Sequence, residues 1–582
     1  MKSLKFIFTK EFYIPKLERL GHIIGSFSLL EKFIFFIFAL LFIVTSLGML
    51  LRVNAQFLVE VPRFGGTLIE GVIGTPRFIN PIIAISDADR DFTSLVYSGL
   101  LRTTADGSLV PDLAEKYEVS EDGLEYHFYI KEDAVFHDGK PVTSDDVIFT
   151  ILQTQDPAIK SPRRANWDSI SIDKINDKEI VFRLSQPYNP FIFNTTMGIL
   201  PKHLWGNIVS DEFAFSSLNI NPIGSGPYKV KTVRRDSTGI IEEYILQRND
   251  DFILGKPYIK NIVIRFYRNE QEIITALEEG TIQTVNGISP QRAQELKEKD
   301  FRVEQLPLPR IFGVFFNQNQ APILANKTVR LALDASVNRK GIIDDILKGF
   351  GNEINSPIPE SLIPFDVLES AETEADLSPT EKGIDILSEA GWEINEDGFM
   401  QRKVNGSNEI LRFKIATGNV PELITIAEYV VSEWRKIGAD VSLEIFESND
   451  LNNNVIRPRK YDALFFGEVI GRDLDFYAFW HSSQRNDPGL NIANYANIDV
   501  DKYLENVRSV QESEETLEYY RKFEQEIRKD TPAVFLYTPD FIYILPKNLE
   551  GTLPRNISTP SERFMNIHEW YLETDTVWSI FQ

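Results

Sequence analysis

"ILRFKIATGNVPELITIAEYVVSEWRKIGADVSLEIFE", residues Ile410 to Glu447, reads as strand, helix, strand. Leu423, Ala427, Val430, Val431 and Trp434 recur at helical spacing, so the middle third carries one apolar face. A second stretch, "IKNIVIRFYRNEQEIITALEEGTIQTVNG" from Ile259 to Gly287, repeats the rhythm with Ile273, Ile274 and Leu277 on its helical face. Such units imply mixed sheets with right-handed crossovers, one in each of two separate domains. The fold class is therefore α/β with more than one lobe.

Length agrees, because 582 residues exceed what one ordinary core organises. Hydrophobic residues at 43% and charged residues at 25% give a globular balance. The net charge of −24 argues against nucleic-acid or anionic-membrane partners. Cysteine is absent, which excludes disulfides, thiolate metal sites and a cysteine nucleophile. Burial alone must stabilise the body, and at this size it can. The acidic run from Glu369 to Asp376 reads as a linker.

The charge is uneven. Residues 1 to 52 hold seven basic residues against three acidic ones, a balance of +4, which leaves −28 for the rest. Between Lys32 and Arg52 lies "FIFFIFALLFIVTSLGMLL", 19 residues without a charge, close to the thickness of a bilayer core. Basic residues ahead of it predict a cytoplasmic N-terminus and an extracytoplasmic body. A cleaved signal peptide is the competing reading, and "VNA" at Val53 to Ala55 offers small residues for a peptidase. The 32 preceding residues and the longer apolar run favour a retained anchor.

From Asp91 the sequence predicts an apolar helix, a turn at Asp106-Gly107, a short helix, and a hairpin hinged on Asp122-Gly123. "KEIVFRLSQPY" alternates Ile180, Phe182 and Leu184 as a half-buried strand. "AVFHDGKPVTSDDVIFT", Ala134 to Thr150, gathers His137, Asp138, Lys140, Thr143 and Asp146 as an active site would. Its spacing fits a turn at Asp138-Gly139 and a helix start capped by Thr143 with Asp146, stapled by Val142 and Val147.

Motifs for chemistry fail on spacing. "DADRD" at Asp87 to Asp91 begins like a calcium loop, but Phe92 and Ser98 occupy the positions that need Gly and Glu. His568-Glu569 lacks a second histidine, since Leu572 stands at the required offset. "GSGPY" at Gly224 to Tyr228 is too short and proline-broken for a dinucleotide loop and reads as a tight turn entering a strand. No metal or cofactor is expected, and no enzymatic activity.

Four stretches together resemble one family: "VYSGLLRTTADGSLVPDLAEKYEVSEDGLEYHFYIKEDAVFHDGKPVTSDDVIFT", "NPIGSGPYKV", "FFNQNQAPILANKTVRLALDASVNRKGIIDDILKGFG" and "YDALFFGEVIGRDLDFYAFW". The family is the extracytoplasmic solute-binding proteins of ABC importers, family 5, the group of dipeptide- and oligopeptide-binding proteins. The resemblance implies a two-lobed periplasmic-binding-protein-like fold with mixed sheets and an extra subdomain on lobe one, following the N-terminal transmembrane helix. It implies a ligand held between lobes that close on a hinge, with chain crossings near Leu306 to Phe315 and Thr531 to Tyr543.

The expected organisation is a cytoplasmic segment 1–32, a transmembrane helix 33–51 and a tether 52–64. Lobe I follows at 65–90, its extra subdomain at 91–214, and lobe I again at 215–305. Lobe II spans 306–535, and 536–582 return to lobe I. In peptide-binding members an acidic residue in the "GEVIGRDLDFYAFW" region pairs with the ligand's amino terminus; this sequence departs from the usual Gly-Asp. Glu468 is the nearest acidic candidate, with Asp473 and Asp475 further on. Arg163 and Arg164 in "SPRRANW" are candidates for a carboxylate or phosphate, and Trp167 and Trp480 for cleft walls.

The resulting expectation is a single-pass membrane protein of the cell surface or periplasm that binds peptides for delivery to ABC permease subunits. Alternatives are a binder of a sugar, opine or metal chelate, a transporter-independent sensor and, most remotely, a surface hydrolase.

Overall fold

The computed structural model describes residues 23–105, 107–359, 377–404, 406–472, 474–510, 513–555 and 557–581. Residues 1–22 of the expected cytoplasmic segment, Asp106 of the expected turn, the acidic run 369–376 and Asp473 therefore lie outside the described residues. The chain divides into two units, Met1–Arg63 with Thr574–Gln582, and Phe64–Glu573.

In the first unit, helix α1 (Leu29–Phe57) begins at Ser28, whose side chain accepts from the Glu31 N–H while the Glu31 carboxylate accepts the Ser28 N–H at 2.8 Å. The apolar span Leu29–Asn54 covers 26 residues, about 39 Å at helical rise, and exposes Phe33, Phe36, Leu40 and Phe42 rather than one hidden stripe. The helix is longer than the expected 33–51, because its cap lies at Ser28 and nothing breaks it before Leu58. Residues 52–57 of the expected tether are accordingly helical. Leu58–Pro62 is a strand, paired antiparallel with Thr574–Trp578 from the far end of the sequence.

The second unit is built on a sheet whose two halves share one strand. In the first half, β1 (Gly65–Ile73) runs parallel to Ile259–Tyr267 and to Thr284–Asn286, joined through the helix Glu270–Glu278 as the periodicity predicts. In the second half, β2 (Arg310–Phe316) pairs antiparallel with β3 (Ala463–Val469). Arg412–Gly418 runs parallel to β3 and to Asp440–Phe446, across the helix Pro421–Lys436. The 13-residue strand β4 (Ala533–Leu545) bonds Val285 and Asn286 through its Ile544 and Tyr543, and Phe312–Phe315 through its Ala533–Tyr537. At about 3.3 Å per residue one strand thus runs through both lobes.

Both faces of the second half are buried, one under Trp392, Leu333 and Trp434, the other under Trp480, Phe476 and Phe523. The extra subdomain packs the strands Ala114–Val119, Glu125–Ile130, Glu179–Leu184 and Ile170–Asn176, in that order, against helix α3 (Ser144–Gln155), which follows α2 (Asp87–Val96) in the chain. The short helix expected ahead of the hairpin is not formed: Leu109–Pro111 and Ala114–Val119 are strands. Pairing with Glu125–Ile130 satisfies that backbone and overrides the helical propensity of Ala, Glu and Lys.

Candidate functional site

The turn that resembled an active site is structural. The Thr143 N–H and hydroxyl both donate to Asp146 Oδ2, at 2.9 and 2.8 Å, while Asp146 Oδ1 accepts the Lys202 N–H. Val142 and Val147 are fully buried beside them. His137 bonds the second suspicious motif: its Nδ1 accepts the Gly224 N–H at 3.3 Å and its Nε2 donates to the Gly226 carbonyl at 3.0 Å. Burial pushes its pKa down to about 4, so it stays neutral and keeps this donor–acceptor polarity. Gly224 and Gly226 are needed for close approach, since a Cβ would sit 2.1 Å from Val96 O and 2.6 Å from Val96 C respectively.

A cavity of about 370 Å³ lies beside α2. Its walls come from α2 and the following loop (Arg90, Tyr97), the strand Leu101–Thr103, and the 3-10 turn Pro560–Phe564, all joined to the first lobe. Gly471 and Arg472, just past the end of β3, reach it from the second lobe. Arg472 Nε and Nη2 donate to Glu562 Oε2 at 2.8 and 2.6 Å, bridging the lobes at the cavity. A second bridge joins the subdomain to the second lobe: Asp475 accepts from Tyr188 at 3.2 Å and from Arg508 at 2.9 and 2.6 Å.

Below α2 a buried ionic cluster fixes this wall. Arg563 makes a bidentate pair with Asp91, 2.7 Å at each nitrogen, and a 2.9 Å bond to Glu70, which also accepts from the Tyr543 hydroxyl at 2.7 Å. Burial pushes the Asp91 pKa up to about 6 despite the opposing pull of Arg563. The "DADRD" carboxylates thus serve the helix start and this pair: Ser86 and Asp89 form the capping box. Among the described residues no group of three or more metal-ligating side chains is assembled.

Of the residues singled out by sequence, Arg163 lines the cavity. Arg164 pairs with Asp168 at 3.0 Å, and Trp167 is buried against Phe182 and Phe191 in the subdomain core. Trp480 is fully buried between Phe315, Tyr495 and Phe535 in the second lobe. Glu468 is 3% exposed, neither carboxylate oxygen has a hydrogen-bond partner, and burial holds its pKa well above the usual range. It points to the same face of β3 as Leu464, as two-residue periodicity requires. Asp473 lies outside the described residues.

Residues without a recognisable motif hold the polar lining. Asp112 is 5% exposed, its Oδ1 has no partner, and burial pushes its pKa up to about 6 against the charge of Arg102. Arg90 lines the cavity near Arg163. Arg163 is open to the water of the cleft, yet the protein gathered around it and the Arg90 charge both lower its pKa.

Residues 108–489 match the model of the bacterial extracellular solute-binding proteins, family 5. An oligopeptide-binding protein, AppA, of Bacillus subtilis is 30% identical over 520 residues, covering 88% of this chain and 92% of the relative. Its solved structure in complex with a nonapeptide superposes with a TM-score of 0.67 at 28% identity, over 88% of this chain and all of the other. The ABC transporter substrate-binding protein CtaP of Listeria monocytogenes gives 0.73 at 26% identity, again over 88% of this chain and all of the other. The two-lobed body with its interlobe cavity and the match over most of its length agree: this chain belongs to the family 5 solute-binding proteins, the extracytoplasmic binding components of ABC importers.

Proposed function

We propose that the protein is a membrane-anchored receptor that captures short peptides in the interlobe cavity and presents them to an ABC permease, without chemistry on the ligand. The observation that carries this reading is the cavity itself, walled by the first lobe and reached from the second by Arg472. Its volume lies in the lower part of the range of small-molecule sites, about 300–1,000 Å³, which suits a few residues. Asp112 supplies a buried acceptor for a ligand N–H or ammonium, and Arg163 a donor for a ligand carboxylate. The oligopeptide-binding relative supports the same ligand class.

The anchor is α1, whose span exceeds the roughly 30 Å of a bilayer core. Intact mass of the mature protein tests it: retention of residues 1–55 is expected, and a chain starting at Gln56 refutes it. Calorimetry of the full-length protein in detergent against di- and tripeptides tests the ligand class. Binding of a peptide is expected; binding of a sugar or chelate with no peptide binding refutes it.

A further inference from the structure

The strongest unexplained feature of the cleft is its local excess of positive charge on an otherwise acidic protein. Of the cavity's four arginines, Arg472 is matched by Glu562 and Arg102 faces Asp112. Arg90 and Arg163 remain. Arg163 makes no hydrogen bond or ion pair through its guanidinium among the described residues, and it opens into the cleft beside Arg90. Asp87 bonds Arg90 at 3.1 Å and is 61% exposed. The cavity wall therefore carries two neighbouring guanidiniums with one solvated carboxylate beside them.

Such an arrangement costs free energy in the empty protein. Like charges repel, and the Arg90 charge opposes the charge on Arg163. A bound oxyanion removes this penalty, since its oxygens accept from planar guanidinium forks and its charge offsets theirs.

We propose that Arg163, with Arg90, forms an oxyanion site that makes this receptor select ligands of net negative charge, with acidic short peptides as the class. This rests on the peptide reading above and adds to it. A neutral zwitterionic peptide brings one carboxylate and one ammonium, whereas this cleft has positive charge left after Arg102 and Arg472 are matched. The shared chemistry is an oxyanion, carboxylate or phosphoryl.

The test is calorimetry on the full-length protein in detergent with four tripeptides, Ala-Glu-Ala, Ala-Gln-Ala, Ala-Lys-Ala and Ala-phosphoserine-Ala, and with inorganic phosphate. Ala-Glu-Ala is expected to bind about ten- to one-hundred-fold more tightly than Ala-Gln-Ala, the range for a hydrogen bond to a charged group. That preference falls with added salt, and Arg163→Gln reduces it to less than about two-fold while Arg163→Lys keeps part of it. Tighter binding of the phosphoserine peptide assigns the oxyanion as phosphoryl. Equal affinity for the Glu and Gln peptides, or preference for Ala-Lys-Ala, overturns the oxyanion site and leaves the peptide reading intact. Binding of phosphate with no peptide binding overturns the peptide reading and leaves the oxyanion site. Unchanged circular dichroism of Arg163→Gln separates loss of selectivity from loss of fold, and the salt dependence in the unaltered protein stands without any variant.

Discussion

Arg472 and Glu562 lie 90 residues apart in sequence and in different lobes, yet two guanidinium nitrogens of the first converge on one carboxylate oxygen of the second. Glu562 Oε2 also accepts the Ser558 N–H at 2.9 Å. The pair therefore holds the lobes together through groups little exposed to water, where a charged hydrogen bond contributes about 1.5–3 kcal/mol. Glu562→Gln should shift the ligand-free protein toward an open state. Small-angle scattering should record a larger radius of gyration for this variant without ligand and an unchanged one with ligand bound.

Glu468 makes a pH-dependent contribution to stability. Its folded pKa is raised by burial, so the native state keeps a proton that the unfolded chain releases above about 4.5. Stability is therefore lost as pH rises from about 4.5 toward the folded value, by about 1.4 kcal/mol for each pH unit crossed. Glu468→Gln should match the unaltered protein near pH 4 and exceed it at pH 7. Urea unfolding at both values checks this, and a variant that is weaker at pH 7 would mean that the carboxylate has an unseen partner.

Arg563 is buried with Asp91 and Glu70 on either side. Replacing it by Leu leaves two carboxylates buried without their cation, a loss of about 3–5 kcal/mol. The urea midpoint of Arg563→Leu should fall accordingly, and peptide affinity should fall with it because Asp91 fixes α2, the wall that carries Arg90.

Gly226→Ala places a methyl group 2.6 Å from Val96 C and 2.7 Å from Tyr97 N. Backbone does not yield as a flexible side chain would. A destabilisation of about 1–3 kcal/mol is expected from such overpacking, and thermal unfolding should show it. A neutral result would mean that the turn and the segment after α2 slide apart at no cost.

The architecture is legible in the sequence where period and local chemistry agree. Both strand–helix–strand units form as their apolar spacing demands, and Thr143 with Asp146 starts α3 as the capping pattern requires. Ala114–Val119 departs from its local propensity because its fate depends on a partner strand, a contact that propensity does not contain. The site is harder to read. Arg163 stands out in a loop beside a second arginine, but Arg90 sits inside the acidic "DADRD" run and forms no local basic pattern. Glu468 and Arg472 stand four residues apart in one motif, and the alternation of Leu464, Phe466 and Glu468 carries the available clue that the carboxylate turns inward.

The pairing of Leu58–Pro62 with Thr574–Trp578 sets an order on biosynthesis. Glu60 and Thr574 are separated by 514 positions, so the strand that follows α1 waits, unpaired, while the whole intervening body is made. Its partner arrives only after β4 has been synthesised, by which time both lobes have every strand they need. The ribbon that continues α1 is thus, among the described residues, the last piece of β-structure to close, and a chain truncated before Thr574 would carry both lobes and, ahead of them, a strand with an open edge.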